Sequence, residues 1–146
     1  MKVIREIFKY PEAQSIALFL VRITLGYIFM AHGAQKVFGV FGGHGLIKFV
    51  EWTNSMGVPE VFGYLGAFSE FVGGVLLFFG IAAELGAFMI IPMMLGGIFL
   101  VHWNSGFFVQ NGGFEYPLNL IFFALAIVTG GPGKYALYDF FASWRT

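Results

Sequence analysis

Four ionisable side chains lie inside stretches of this sequence that are otherwise apolar. Arg22, His32 and Lys36 belong to one such stretch, and Glu70 belongs to the next one along the chain. Charged groups in apolar surroundings are costly, so they usually face the protein interior, where they pair with each other or serve a function. These four residues are therefore the first candidates for chemistry.

The spacing of residues in the first stretch predicts a helix with one polar and glycine-rich face. Arg22 and Lys36 recur with Gly26, Phe29 and Gly33 at intervals of four, three, four and three residues, which places all five on one side of a helix. The second stretch carries glycines at similar intervals around its glutamate. Because glycine faces let two helices approach closely, the two stretches are predicted to pack against each other.

An ion pair between Arg22 and Glu70 follows from an antiparallel pairing of these two helices. Counting from their shared connection puts Glu70 opposite roughly residues 26 to 28, which places Arg22 about 6–9 Å away along the helix axis. An arginine side chain can span that distance. The pair is predicted to fix how the two helices register, and a role in proton or substrate handling is the alternative.

A second group of polar residues lies near one end of the predicted helices. His32 and Lys36 end the first apolar stretch, His102 ends the third, and Glu115 and Asn119 begin the fourth one turn apart. In a closed bundle these five residues would converge on a pocket that offers donors, acceptors and a titratable histidine to a small molecule. The simpler interpretation is that Lys36 extends to water and that His102 anchors the chain at headgroup depth.

The sequence contains no cysteine, which excludes disulfides, thiol redox chemistry and cysteine-ligated iron–sulfur or zinc sites within the chain. His32 and His102 are the minimum for a bis-histidine haem, but no carboxylate–histidine arrangement at metal spacing accompanies them. We therefore expect no metal and no intrinsic cofactor, and no residue stands out as catalytic. The basic residues form no cluster, so nucleic acid is not an expected partner.

The composition places these residues in a lipid bilayer. The chain is 58% hydrophobic and 11% charged, whereas soluble domains carry roughly 25% charged residues. Four segments approach the roughly 20 residues needed to cross a bilayer, and they are residues 15–38, 61–83, 85–103 and 116–130. The predicted fold class is an all-α integral membrane four-helix bundle over residues 15–130, between an N-terminal segment, 1–14, and a C-terminal segment, 131–146.

The connection between the first two spans has a structure of its own. Residues 39–45 are too rich in glycine for regular structure. From Leu46 to Asn54, apolar and polar residues then interleave in the pattern of a short amphipathic helix that lies in the membrane interface.

Basic residues near the span ends predict the orientation of the bundle. The side of the membrane that holds the two termini carries five basic residues, and the opposite side carries only Lys36 and Lys48. Both termini are therefore predicted to be cytoplasmic. The five residues are Lys2, Arg5, Lys9, Lys134 and Arg145.

Three motifs together resemble the DoxX family of small bacterial and archaeal membrane proteins, over about residues 15–140. They are Arg22-x3-Gly26-x2-Phe29-x2-His32-Gly33-x2-Lys36 in the first span, Glu70-x2-Gly73-Gly74 in the second with His102 ending the third, and Gly131-Pro132-Gly133-x4-Tyr138-Asp139 after the fourth.

The resemblance implies a quinone-linked role in a prokaryotic cytoplasmic membrane. The family is similar to the membrane subunit of thiosulfate:quinone oxidoreductase, and other members are associated with oxidative-stress and with quinone or catechol detoxification systems. A membrane subunit of such a system would bind quinone near His32, Lys36 and Glu115 and work beside soluble redox proteins or another subunit. The alternative is a non-enzymatic membrane anchor or a small carrier of unknown cargo. The glycine faces of the first two spans also permit the protein to form a homo-oligomer.

Overall fold

Helices satisfy every backbone donor and acceptor within one segment, which a chain surrounded by lipid requires. The computed structural model describes residues 11–138, and over that range its elements are five α-helices and three short helical turns, without a strand. The α-helices are α1 (Pro11–Phe38), α2 (Leu46–Ser55), α3 (Glu60–Phe79), α4 (Ala83–Gly97) and α5 (Glu115–Gly130). The predicted all-α fold class is confirmed.

Three of the helical segments are long and apolar enough to cross a membrane. They are α1, α3 and a continuous segment, Ala83–Ser105, in which α4 is extended by a π-helical turn at Ile98–His102 and a 3₁₀ turn. The fourth predicted span, α5, has 16 residues and at 1.5 Å per residue is about 24 Å long, somewhat short of a 30 Å hydrocarbon core.

The four long helices share one core. Its buried members come from all of them, and Leu25, Leu77, Ala87 and Ala124 are each at most 1% exposed. Large apolar side chains cover the outside of the bundle, and Phe88 is 63% exposed. An apolar exterior of this kind requires lipid as its solvent, so the protein is a membrane protein.

The glycine faces of α1 and α3 pack against each other, as predicted. Gly33 lies against the backbone of Phe71, and Gly74 lies against the backbone of Met30, so closely that neither position has room for a Cβ atom. This register places Glu70 opposite residue 34, about two helical turns away from the predicted residues 26 to 28.

Replacing Gly33 with alanine is expected to destabilise the bundle. The added methyl group would meet the backbone of Phe71, which cannot move aside alone, and overpacking of this kind costs about 1–3 kcal/mol. Gly96→Ala is the matched control, because a Cβ atom there meets nothing within 4 Å and alanine favours the helix. Thermal unfolding in detergent should show a lower Tm for Gly33→Ala alone. Equal Tm values for both variants would contradict the close α1–α3 contact.

The short helix predicted in the first connection is present as α2. Its buried residues, Val50 and Thr53, face α3, while Ile47 and Trp52 are 61% and 49% exposed. One side of α2 therefore rests on the bundle and the other is open. Its position in the membrane interface stays a prediction.

The start of α1 and the segment after α5 lie at the same end of the bundle. The amide of Lys134 donates to the carbonyl of Ser15 over 3.1 Å, and Gly133 packs on the α1 backbone near Phe19. Which side of the membrane holds this end stays a prediction. Several residues named above lie outside the described range, and these are Lys2, Arg5, Lys9, Asp139 and Arg145.

Candidate functional site

A cavity of about 590 Å³ lies between α2, α3 and α4. Its lining is mostly apolar, with aromatic side chains from α2 and α3 and methionines from α4. The polar groups are few, and Lys36, Glu70 and His102 are the ionisable ones among them. The main apolar lining residues are Phe49, Trp52, Met56, Phe62, Met89 and Met93.

The cavity opens sideways, towards the lipid. Leu65, Phe88 and Leu100 form part of its lining and are 57%, 63% and 49% exposed, respectively. These side chains belong to the outer surface of the bundle, which lipid covers. An apolar molecule dissolved in the bilayer can therefore reach the cavity without crossing an aqueous layer.

Lys36 and Glu70 form an ion pair in the mostly apolar wall of the cavity. The Lys36 ammonium donates to Glu70 Oε1, and Lys36 Nζ also lies 5.1 Å from the centroid of the Phe49 ring. The Lys36 side chain is 25% exposed and that of Glu70 only 2%. Glu70 Oε2 is buried and has no hydrogen-bond partner within residues 11–138.

The predicted ion pair between Arg22 and Glu70 is wrong. In the observed register, Arg22 lies near Gly80, more than two helical turns beyond Glu70, because α1 and α3 are displaced by about two turns from the predicted pairing. Lys36, on the same face of α1, reaches Glu70 instead.

Arg22 is 1% exposed and joins the end of α3 to the segment that follows α5. The α3 helix ends at Gly80, whose φ of 65° is left-handed, and the guanidinium lies against this glycine. Five backbone carbonyls accept hydrogen bonds from Arg22, at Pro132 (2.7 Å), Leu77 (2.9 Å), Phe78 (3.1 Å), Tyr135 (3.2 Å) and Lys134 (3.3 Å). Arg22 therefore has a structural role in these contacts.

The five residues of the predicted pocket do not all converge. Lys36 and His102 both line the cavity, where they are joined by Glu70. His32 is exposed and is not part of the lining. Glu115 and Asn119 lie at the start of α5, likewise outside the lining.

Glu115 and His102 make contacts with the last connection, whereas Asn119 bonds within α5. Glu115 Oε2 accepts from the amide of Val109 over 3.0 Å, and Asn119 Nδ2 donates to the Glu115 carbonyl over 2.9 Å. His102 Nδ1 lies 2.7 Å from the carbonyl of Gly112. Because a carbonyl can only accept a hydrogen bond, Nδ1 carries the proton in this contact.

A second, smaller cavity of about 470 Å³ shares one wall with the first. Its lining includes Gln35 from α1, His44 from the glycine-rich residues 39–45 and Lys48 from α2. Lys36 and Phe49 line both this cavity and the larger one. His44 and Lys48 are exposed. Lys36 thus stands between a lipid-facing apolar cavity and a more polar one.

Sequence reasoning missed the partner of Glu70 and the contribution of α2 to the site. Lys36 was already placed on the predicted polar face of α1. The wrong partner for Glu70 therefore resulted only from the wrong register of α1 against α3. Over residues 11–138, no three His, Asp or Glu side chains lie together in an arrangement that could hold a metal ion.

Comparison with known proteins identifies the family. The DoxX family model matches residues 17–103. The Bacillus subtilis (strain 168) protein named "Putative oxidoreductase CatD" is 32% identical over 112 residues, which cover 77% of this chain and 78% of that protein. No solved structure matches the chain. Because the family match spans more than half of the 146 residues, this chain belongs to the DoxX family of membrane proteins.

Proposed function

We propose that this protein binds quinone or a related small molecule in the cavity between α2, α3 and α4, as the membrane subunit of a redox system. The observation that carries the proposal is a lipid-facing cavity of about 590 Å³ with the Lys36–Glu70 ion pair in its wall. Ligand sites are typically apolar clefts of about 300–1,000 Å³ with a few well-placed polar groups.

A quinone has a polar part and an apolar part, as the wall of the cavity does. A flat, conjugated head group and an isoprenoid tail suit the aromatic and methionine side chains, and methionine adapts its shape to a ligand. The carbonyl oxygens of the head group need a hydrogen-bond donor, and the Lys36 ammonium in the lining has three N–H donors, of which Glu70 takes one. The name of the Bacillus subtilis relative, "Putative oxidoreductase CatD", agrees with a redox role.

In this proposal, electrons pass between the bound quinone and a soluble redox protein or another subunit. The cavity lies at the end of α1 that is opposite Ser15 and the segment after α5. With both termini in the cytoplasm of a prokaryotic cell, the site would face the outer half of the cytoplasmic membrane.

Filling the cavity should weaken binding without damaging the fold. Gly97 lines the cavity, and a Cβ atom there meets nothing within 4 Å, so Gly97→Leu would project its side chain into free space. We expect quinone affinity, measured by titration of purified protein in nanodiscs, to fall at least about tenfold, since each 1.4 kcal/mol of lost contact is a factor of ten.

Leu95→Phe is the matched control, because Leu95 is exposed on the same helix and is not part of the lining. It should bind quinone as the native protein does. Unchanged affinity in Gly97→Leu would exclude the cavity as the site. A native protein that retains no quinone but co-purifies with a soluble protein would favour the anchor or carrier alternative.

A further inference from the structure

The second carboxylate oxygen of Glu70 has an unmet requirement for a hydrogen-bond donor. Oε1 accepts from Lys36, whereas Oε2 is buried with no partner among the described residues. Buried polar atoms in proteins are nearly always hydrogen-bonded, and leaving one unpaired is costly. Since Glu70 forms part of the cavity wall, the missing donor can come from a molecule that occupies the cavity.

The neighbourhood of Glu70 can open to admit such a donor. The end of the Met93 side chain lies against Gly66, one helical turn before Glu70, and both Met93 and Gly66 line the cavity. A methionine side chain changes rotamer easily. Its movement would widen the cavity one helical turn from Glu70 without any change in the helices.

We propose, on the basis of the function proposed above, that the ligand donates a hydroxyl hydrogen bond to Glu70 Oε2. The site then selects the reduced form, a hydroquinone or another phenol-type molecule, over the oxidised quinone. A quinone has only carbonyl acceptors, which repel an ionised carboxylate and leave Oε2 unpaired. A hydroquinone has hydroxyl donors and supplies what the wall lacks.

The charge of the ligand is also constrained. Lys36 and Glu70 already neutralise each other, so an anionic or cationic ligand would add an unpaired charge to an apolar cavity, at high cost. The preferred ligand is therefore neutral. This condition excludes phenolates and carboxylic acids in their ionised forms.

The test compares three ligands that share one short prenyl tail, under anaerobic conditions. They are a benzoquinone, its hydroquinone and the hydroquinone dimethyl ether, which keeps the oxygens but loses both donors. Because hydrogen bonds to charged groups are among the stronger ones, the native protein should bind the hydroquinone about tenfold to a hundredfold more tightly than either of the others.

Glu70→Gln should remove this preference, because an amide both accepts from a hydroxyl and donates to a carbonyl. Glu84→Gln is the matched control, as Glu84 is exposed and lies outside the cavity, and it should keep the native preference. If Glu70→Gln does not fold, the double variant Lys36→Met/Glu70→Leu removes both charges and should likewise bind the quinone and hydroquinone equally.

The outcomes separate this inference from the function on which it rests. Equal affinities of the native protein for all three ligands would overturn the hydroxyl contact and indicate that a water molecule satisfies Oε2, while quinone binding itself would stand. If none of the three ligands binds, the proposed function fails, and the inference fails with it.

Discussion

Replacing Arg22 with leucine is expected to lower the free energy of unfolding by about 3 kcal/mol or more, because Arg22 makes several buried hydrogen bonds and each one that involves a charged group contributes about 1.5–3 kcal/mol. Arg22 is buried and donates to five backbone carbonyls from two separate segments. Its loss removes one donor from each of these acceptors and breaks the contacts by which Arg22 joins the segment after α5 to the end of α3.

Chemical unfolding in detergent, followed by tryptophan fluorescence, measures this loss. Arg22→Lys should also be destabilised, because one ammonium group cannot reach carbonyls on both segments. Lys134→Met is the control, since among the described residues the Lys134 side chain makes one exposed ion pair, with Glu12 at 3.4 Å, and such pairs contribute about 0–1 kcal/mol. A loss below about 1 kcal/mol in Arg22→Leu would contradict the structural role of this arginine.

The second large effect is expected for Lys36→Met, which leaves the Glu70 carboxylate buried without its cation. Removing one partner of a buried pair costs about 3–5 kcal/mol. Glu70→Leu should cost less, because the partly exposed Lys36 can turn towards solvent or the smaller cavity. The double variant Lys36→Met/Glu70→Leu should be more stable than Lys36→Met alone, since it removes the unpaired charge.

A double-mutant cycle distinguishes the observed ion pair from the one that the sequence predicts. The Lys36–Glu70 cycle should give a coupling free energy of at least about 1 kcal/mol, whereas Arg22–Glu70 losses should add within about 0.5 kcal/mol. Thermal or chemical unfolding of all single and double variants provides the values. Additive losses for Lys36 and Glu70, or strong coupling between Arg22 and Glu70, would contradict the register described here.

The sequence predicts the helices and their faces well because the bilayer imposes strict rules on both. Backbone hydrogen bonding requires helices, and the spacing of Arg22, Gly26 and Gly33 marks the face that packs. Helix α2 is equally visible in its alternation of apolar and polar residues. These features depend on local sequence alone.

The register of α1 against α3 depends on information that lies elsewhere in the chain. The connection between them holds the α2 helix, so counting residues from a shared loop does not locate the opposite position. Two similar glycine faces can also slide past each other by whole turns. A shift of about two turns exchanges Arg22 for Lys36 as the partner of Glu70.

The predicted pocket failed where it depended on loop conformation. Glu115 accepts a hydrogen bond from Val109 in the last connection, and Asn119 bonds to the α5 backbone. No periodic pattern reveals such contacts. His32 is one turn from Lys36, yet it falls at the edge of a face centred on Gly33. Spacing along one helix therefore does not decide which side chains share a cavity.

Photocrosslinking in membranes tests the central claim, ligand binding in the lipid-facing cavity, most directly. A prenylated quinone with a diazirine on its head group should label α4 near Met89 and Met93 and α3 near Phe62, as mapped by mass spectrometry of peptides. Labelling should disappear in Gly97→Leu and persist in Leu95→Phe. Labels spread over the outer faces of the bundle, unchanged by Gly97→Leu, would contradict the account.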